Sequence, residues 1–232
     1  MKTSLADILS QHSVWRGGAL APGPGRTVPT GFAALDRELP GAGWPRGALT
    51  EILGQREGVG ELQLVLPALA ALSASGCRVI WLAPPHLPYA PALAAAGVDL
   101  EHLSVVRAPG RRDGLWAAEQ VLRGGGCHAL LAWFHDIRYA ELRRLAVAAE
   151  AGQGAFVALF RPAQSAHEAS PACLRIAFEP APEGLAVRIL KRRGALLARP
   201  LGIKIERPVH AVGGASFSTP CARGPVARSC PA

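Results

Sequence analysis

Three glycines, Gly54, Gly58 and Gly60, stand between the apolar run Leu49-Thr50-Glu51-Ile52-Leu53 and an Ala/Leu-rich segment that begins at Leu62. Strand, glycine turn and helix in that order can cradle phosphate, because backbone N–H groups of the turn and of the helix start point at the anion. The chemistry also needs a lysine for the outer phosphates and a hydroxyl for Mg²⁺ directly after the last glycine. With Gly60 as that glycine, Glu61 and Leu62 fill those places, and the alignment needs one extra loop residue. A carboxylate there repels triphosphate oxygens by roughly 4 kcal/mol per unit-charge pair at about 4 Å and an effective dielectric near 20. The expectation is a degenerate phosphate loop that binds no cofactor, whose glycines permit positive φ in a tight strand-to-helix turn.

The elements that must hold this turn alternate. Arg78-Val79-Ile80-Trp81-Leu82-Ala83 reads as a buried strand, residues 89–96 as a helix closed by Gly97, and Leu103-Ser104-Val105-Val106 as a further strand. Asp113 is expected to cap a helix that runs through Arg123 and stops at Gly124-Gly125-Gly126. A strand over 129–133, a helix over 139–151 and a strand over 155–160 follow. Pro67 removes a helix hydrogen bond, so the helix after the turn either kinks or begins there. Units of this length imply an α/β fold, a mostly parallel sheet with helices on both faces. After Pro162 comes a loop, and then the period becomes two. Residues 173–178 and 184–191 predict an antiparallel hairpin added to the sheet. Upstream, Thr30 is expected to cap a short helix before a tight turn at Gly43-Trp44-Pro45-Arg46-Gly47.

With 232 residues, half of them apolar, the chain can bury one α/β core and carry extensions. Residues 1–28 read as an arm with a flexible joint, 29–207 as the core, and 208–232 as a disordered tail. The five cysteines are scattered, with neither C-x-x-C nor histidines at zinc spacing, which argues against metal and disulfide frameworks and fits a reducing compartment. Asp7 interrupts the apolar stretch an export signal needs, and the apolar segment 62–74 contains Gln63 and Pro67 and is shorter than the roughly 20 residues of a membrane span. A cytoplasmic protein is expected. Charge is distributed unevenly. From Leu190 onward eight basic residues oppose one acid, whereas the first 189 residues carry 17 basic and 16 acidic. Lys191, Arg192, Arg193, Arg199, Lys204 and Arg207 are therefore the candidates for an anionic partner, DNA backbone or an acidic protein surface. Trp15, Arg16 and Trp44 sit beside glycines and prolines in segments expected to be loops, where they read either as interface anchors or as a joint packed on the domain.

Pro29-Thr30-Gly31 with Leu35-Asp36, then Gly43-Trp44-Pro45-Arg46-Gly47 and Glu51-Ile52-Leu53-Gly54, resembles the entry to the ATPase core of RecA recombinases. Residues 173–176 and 187–193 look like RecA's late strands with their basic turn. Gly60-Glu61-Leu62, Ala149-Glu150-Ala151-Gly152, Phe160-Arg161-Pro162, Ser170-Pro171-Ala172 and Ile189-Leu190-Lys191-Arg192-Arg193-Gly194 look more closely like the ImuA family, RecA-related accessory proteins of bacterial translesion synthesis. The resemblance covers roughly residues 5–207.

That resemblance implies a RecA-like core and a non-catalytic role in an SOS-induced mutagenic machine. The implied partners are ImuB, which is Y-family-like, an error-prone DnaE-type polymerase, and RecA. It also says where an active ATPase would keep its carboxylates. The first place falls in Ala83-Pro84-Pro85-His86, with no carboxylate, and the second at Trp133, three residues before Asp136. Several elements of phosphoryl transfer fail together, so no enzymatic activity is expected. Two alternatives stay open: a SulA-like division inhibitor acting on FtsZ, which would be a shorter chain, and a divergent RecA-like ATPase. Trp81 and Trp133 are expected in the packing, and His128 and His135 are expected to bracket a strand.

Overall fold

The computed structural model describes residues 26–58 and 60–205. Trp15, Arg16, Arg207 and the tail from Pro208 lie outside them. Eight strands form one sheet in the order β10-β9-β8-β3-β7-β6-β4-β5. They are β3 (Ala48–Gly54), β4 (Val79–Leu82), β5 (Leu103–Val106), β6 (Ala129–Trp133), β7 (Phe156–Pro162), β8 (Leu174–Ala181), β9 (Gly184–Lys191) and β10 (Leu201–Lys204). The run from β8 to β5 is parallel, and β9 and β10 add antiparallel pairs at one edge. A separate two-stranded ribbon pairs β1 (Thr27–Val28) with β2 (Trp44–Pro45). The expected α/β architecture and hairpin are present. β10 is an element the sequence reading lacked, because its four residues (LGIK) are too short for a period to show.

Alternation along the central strands assigns the two faces. One face carries Ile52, Trp81, Leu131, Phe156 and Ile176, covered by α1 (Ala33–Asp36), α2 (Leu66–Ala74) and α3 (Ala90–Ala95) through Leu35, Leu69 and Leu93. The other carries Leu49, Leu130, Val157 and Leu159, covered by α4 (Arg111–Arg123) and α5 (Tyr139–Ala151) through Ala118, Leu122, Leu142 and Leu145. Pro67 sits in the first turn of α2, where its missing N–H breaks no bond, so the helix begins there and is not kinked by it.

Two expected caps are corrected. Thr30 does not cap α1: its hydroxyl takes the Phe32 N–H at 3.0 Å, while Asp36 reaches back to the Thr30 N–H at 2.9 Å. Asp113 lies inside the first turn of α4, which starts after Gly110. There its negative charge still suits the helix start. Trp44 is also corrected. It is not an exposed anchor: it is fully buried in β2 and stacks on Phe156 with centroids 5.5 Å apart. The Gly and Pro around it shape a β-ribbon that packs the indole inward.

Candidate functional site

The central strand β3 delivers the glycine turn to the carboxyl edge of the parallel strands, the place where open α/β sheets bind ligands. The three glycines serve different ends. Gly58 and Gly60 have φ of 75° and 115°, left-handed conformations that side chains resist. Gly54 does not. It is needed because a Cβ there would lie 2.6 Å from Cζ of Phe178 on β8.

Glu61 opens the short 3₁₀ turn Glu61–Leu64 that leads into α2. Its carboxylate folds back into the loop. Oε1 accepts the Gly58 N–H at 2.8 Å and Oε2 accepts the Gly60 N–H at 3.2 Å, and the residue is only 8 % exposed. The donors that a phosphate would use are therefore occupied by the chain's own anion, at the helix-start position where negative charge is favourable. Leu62 packs against the core. The sequence reading set Glu61 at the turn as a repulsive charge and missed its role as the loop's internal ligand. A carboxylate directly after a glycine turn was the available signal.

Beside the turn lies a cleft of about 280 Å³. Ile52, Trp133, Phe160 and Phe178 form its apolar floor, and Arg56, Glu57, His135 and Pro162 line the rest with Glu61 and Arg161. Trp133 stacks on Phe160, its registered partner on β7, at 4.7 Å and 16°, and leans on Trp81 at 5.6 Å. The expected packing role of both tryptophans holds. Glu57 is held by His135 Nε2 at 2.5 Å, with His86 Nε2 at 3.8 Å. His128 and His135 do bracket β6, and only His135 faces this cleft. Among the described residues no His, Cys, Asp and Glu cluster is arranged to hold a metal. The buried Cys127 thiol is pushed up to about 12, and Cys173 to about 11, both by desolvation, so neither is a ready nucleophile.

A second charged centre lies under the sheet. Glu51 on β3 is completely buried and takes Arg161 Nη1 at 3.0 Å, Arg175 Nε at 2.5 Å and the Ser170 hydroxyl at 2.9 Å. Arg161 also reaches Glu168 at 2.6 Å, and Arg175 donates to the carbonyls of Ser165, Ala166 and Glu168. These bonds tie the segment between β7 and β8, including the 3₁₀ turn Ala163–His167, to the central strand. Phe160-Arg161-Pro162 and Ser170-Pro171-Ala172 stood out in the sequence, and the structure gives Arg161 and Ser170 this bracing role.

The basic segment divides. β9 ends at Lys191, whose Nζ donates to Ser170 O at 2.8 Å while the residue stays exposed. Arg192 turns inward with its side chain 6 % exposed and bonds Glu38 through the backbone carbonyl and, at 3.0 Å, the carboxylate. A guanidinium so enclosed is not a contact for an outside anion, which corrects the expectation for Arg192. Arg193 is half-buried and lines a small hollow with Pro40, Pro45, Cys173 and Leu174. Arg199 and Lys204 are exposed, and so is Arg188. Ala186 pairs with Gly202 and Gly184 with Lys204, so Arg188 and Lys204 share the sheet face opposite buried Val187 and Ile203. Arg207 lies outside the described residues.

No family model matches the chain. Over 97 residues it is 33 % identical to the RecA protein of Picosynechococcus sp., covering 42 % of this chain and 27 % of that one. Over 128 residues it is 32 % identical to the RecA protein of Clavibacter michiganensis subsp. michiganensis, covering 54 % and 35 %. It is also 32 % identical over 93 residues to the cell division inhibitor SulA of Edwardsiella piscicida, covering 40 % of this chain and 55 % of the relative. The matched region thus spans between 27 % and 55 % of these relatives' lengths. Among solved structures, the crystal structure of SulA from Pseudomonas aeruginosa aligns with 26 % identity and a TM-score of 0.42, over 49 % of this chain and 97 % of that one. In sequence the chain is therefore similar, in part, to both RecA and SulA.

Proposed function

We propose that this protein is a RecA-related, non-catalytic adaptor that acts in the DNA-damage response, in SOS-induced translesion synthesis. The observation that carries the reading is Glu61 closing the glycine turn on itself. A nucleotide would have to expel a bonded carboxylate from two donors and then find neither lysine nor hydroxyl beside the turn. Partial likeness to RecA supports the lineage in this reading, and the resemblance of several motifs to the ImuA family is the ground for the pathway. In this reading the partners are an ImuB-like Y-family protein, a DnaE-type polymerase and RecA. The exposed Arg188, Lys191, Arg199 and Lys204 are proposed to meet DNA backbone or an acidic partner surface, Arg192 being engaged internally.

A second reading rests on the SulA match, which covers more of that relative than the RecA matches cover of theirs. It makes the chain a division inhibitor that binds FtsZ. The two part in one experiment: the purified full chain is tested against the polymerase, the Y-family-like protein, RecA and FtsZ by size-exclusion chromatography and interferometry. The adaptor reading expects binding to one of the first three, weakened by joint charge reversal of Arg188, Lys191 and Lys204. Binding to FtsZ alone moves the assignment to the inhibitor. ATP turnover by the wild type that is lost in Glu61→Gln would sink the non-catalytic reading.

A further inference from the structure

One loop of this chain carries an apolar knob, and the same edge of the sheet carries an apolar hole. After β4 the backbone runs through Ala83-Pro84-Pro85-His86-Leu87-Pro88-Tyr89 before α3 begins at Ala90. Leu87 and Tyr89 are 74 % and 71 % exposed, more than any other large apolar side chain among the described residues. The prolines fix φ along the stretch and Tyr89 is extended (φ −83°, ψ 98°), so little conformational entropy is left to lose when the loop meets a partner. The stretch has no Lys, Arg, Asp or Glu, and His86 is its one side chain that can take a positive charge. Such a loop suits an apolar partner.

The hole is the cleft beside the glycine turn. β3, β7, β6 and β4 are parallel, so the loop after β4 and the cleft share one edge, and His86 Nε2 lies 3.8 Å from Glu57 Oε2 on the cleft's rim. Its floor of Ile52, Trp133, Phe160 and Phe178 is apolar, and most of its charges are answered from within the chain. Two loop N–H groups hold Glu61, His135 holds Glu57, and Glu51 and Glu168 hold Arg161, while Arg56 has no ion pair among the described residues. One buried polar atom stays open. Arg161 is 5 % exposed and forms part of the cleft wall, and its Nε is buried without a hydrogen-bond partner. An open buried donor costs stability until an acceptor reaches it. A cavity of about 150 Å³ already holds a benzene ring, so a cleft of about 280 Å³ has room for a phenol.

We propose that two copies of this chain pair about a two-fold axis, with Tyr89 of each entering the cleft of the other. In the pair the ring lies against Trp133, Phe160 and Phe178, and the hydroxyl accepts the Arg161 Nε–H. Tyrosine meets both demands of the hole, since it has an apolar body and a polar tip. A second copy is the occupant because knob and hole belong to one surface of one chain, which is what an isologous pair requires. Within a single chain Tyr89 stays exposed and does not fill its own cleft. The proposal does not rest on the adaptor reading.

The test is sedimentation equilibrium of the full chain from about 1 to about 300 µM. One knob in each direction makes a small interface, below about 1,200 Å² in total, so a monomer–dimer equilibrium in the micromolar range is expected. Tyr89→Ser changes an exposed residue and should leave the thermal midpoint alone, yet weaken pairing about 30-fold or more. Tyr89→Phe keeps the ring without the hydroxyl and should weaken it about 3- to 10-fold. With p-benzoylphenylalanine in place of Tyr89 in a heavy-nitrogen-labelled chain, mixed with unlabelled chain, illumination should cross-link the label to the peptide carrying Trp133 or Phe178 of the unlabelled copy. A chain that stays monomeric throughout overturns the proposal, and so does a dimer that Tyr89→Ser leaves intact. A cross-link confined to the labelled chain's own cleft overturns it as well and makes the loop a lid.

Discussion

Replacing Glu51 with glutamine tests whether the buried ion network is a brace or a remnant of catalysis. The carboxylate is fully buried between Arg161 and Arg175 and also accepts the Ser170 hydroxyl. Breaking a buried pair by changing one partner costs about 3–5 kcal/mol, because the remaining charge is left without its counter-ion. Two features move the estimate to the lower end. Arg175 keeps three carbonyl acceptors, and Arg161 keeps Glu168 and the Ile137 carbonyl at 3.4 Å. A loss of about 3 kcal/mol corresponds to a fall in Tm of about 6–12 °C for a chain of this size. Urea denaturation followed by circular dichroism gives the free energy, and calorimetry gives the midpoint. The combined change Glu51→Leu, Arg161→Met and Arg175→Met should recover most of the loss, since an apolar set of similar volume carries no uncompensated charge. A loss below about 1 kcal/mol for Glu51→Gln would refute the bracing argument. If the variant were as stable as wild type and lacked an ATP turnover the wild type possessed, Glu51 would be catalytic.

Gly54→Ala should destabilise by about 1–3 kcal/mol through overpacking, since the new methyl meets the Phe178 ring; adding Phe178→Leu should relieve it, and failure of that relief in urea melts would contradict the contact. Arg192→Ala should lower stability by about 1–3 kcal/mol through the lost charge-assisted bonds to Glu38, whereas Lys204→Ala should be near neutral, as comparison of the two midpoints will show. Asp99 accepts the Glu101 N–H at 3.0 Å and bonds His102, and these two contacts, the backbone one first, hold its carboxyl below the usual carboxylate range. Its contribution is present above the unfolded value of about 4 and disappears as pH falls through the lowered one. The Tm curves of wild type and Asp99→Asn should therefore lie apart at neutral pH and converge in acid, and curves that stay parallel would contradict this.

Much of the fold was legible because the signals are local. The strand Ala129–Trp133 and the helix Tyr139–Ala151 carry their own periods and stops, and both have the boundaries their residues suggest. That Glu61 and Leu62, and not a lysine and a hydroxyl, follow Gly60 needed no structure either, since it is read from the residues themselves. Sequence also identified Glu61 as an intruder in the turn, the basic run near residue 190, and Trp81 and Trp133 as packing residues.

Tertiary structure decided what each of these groups meets. Glu61 neutralises the loop because Gly58 and Gly60 take left-handed conformations that aim two N–H groups at one carboxylate. Glu51 finds Arg161 and Arg175, 110 and 124 residues away, because β3 lies between β7 and β8. Trp44, which stands among glycines and prolines, is buried by a ribbon, and Arg192, which stands in the basic run offered to an anionic partner, is held by Glu38. Periodicity reports which way a residue faces within its own element. The partner across the sheet is set by strand order, and no local pattern carries that information.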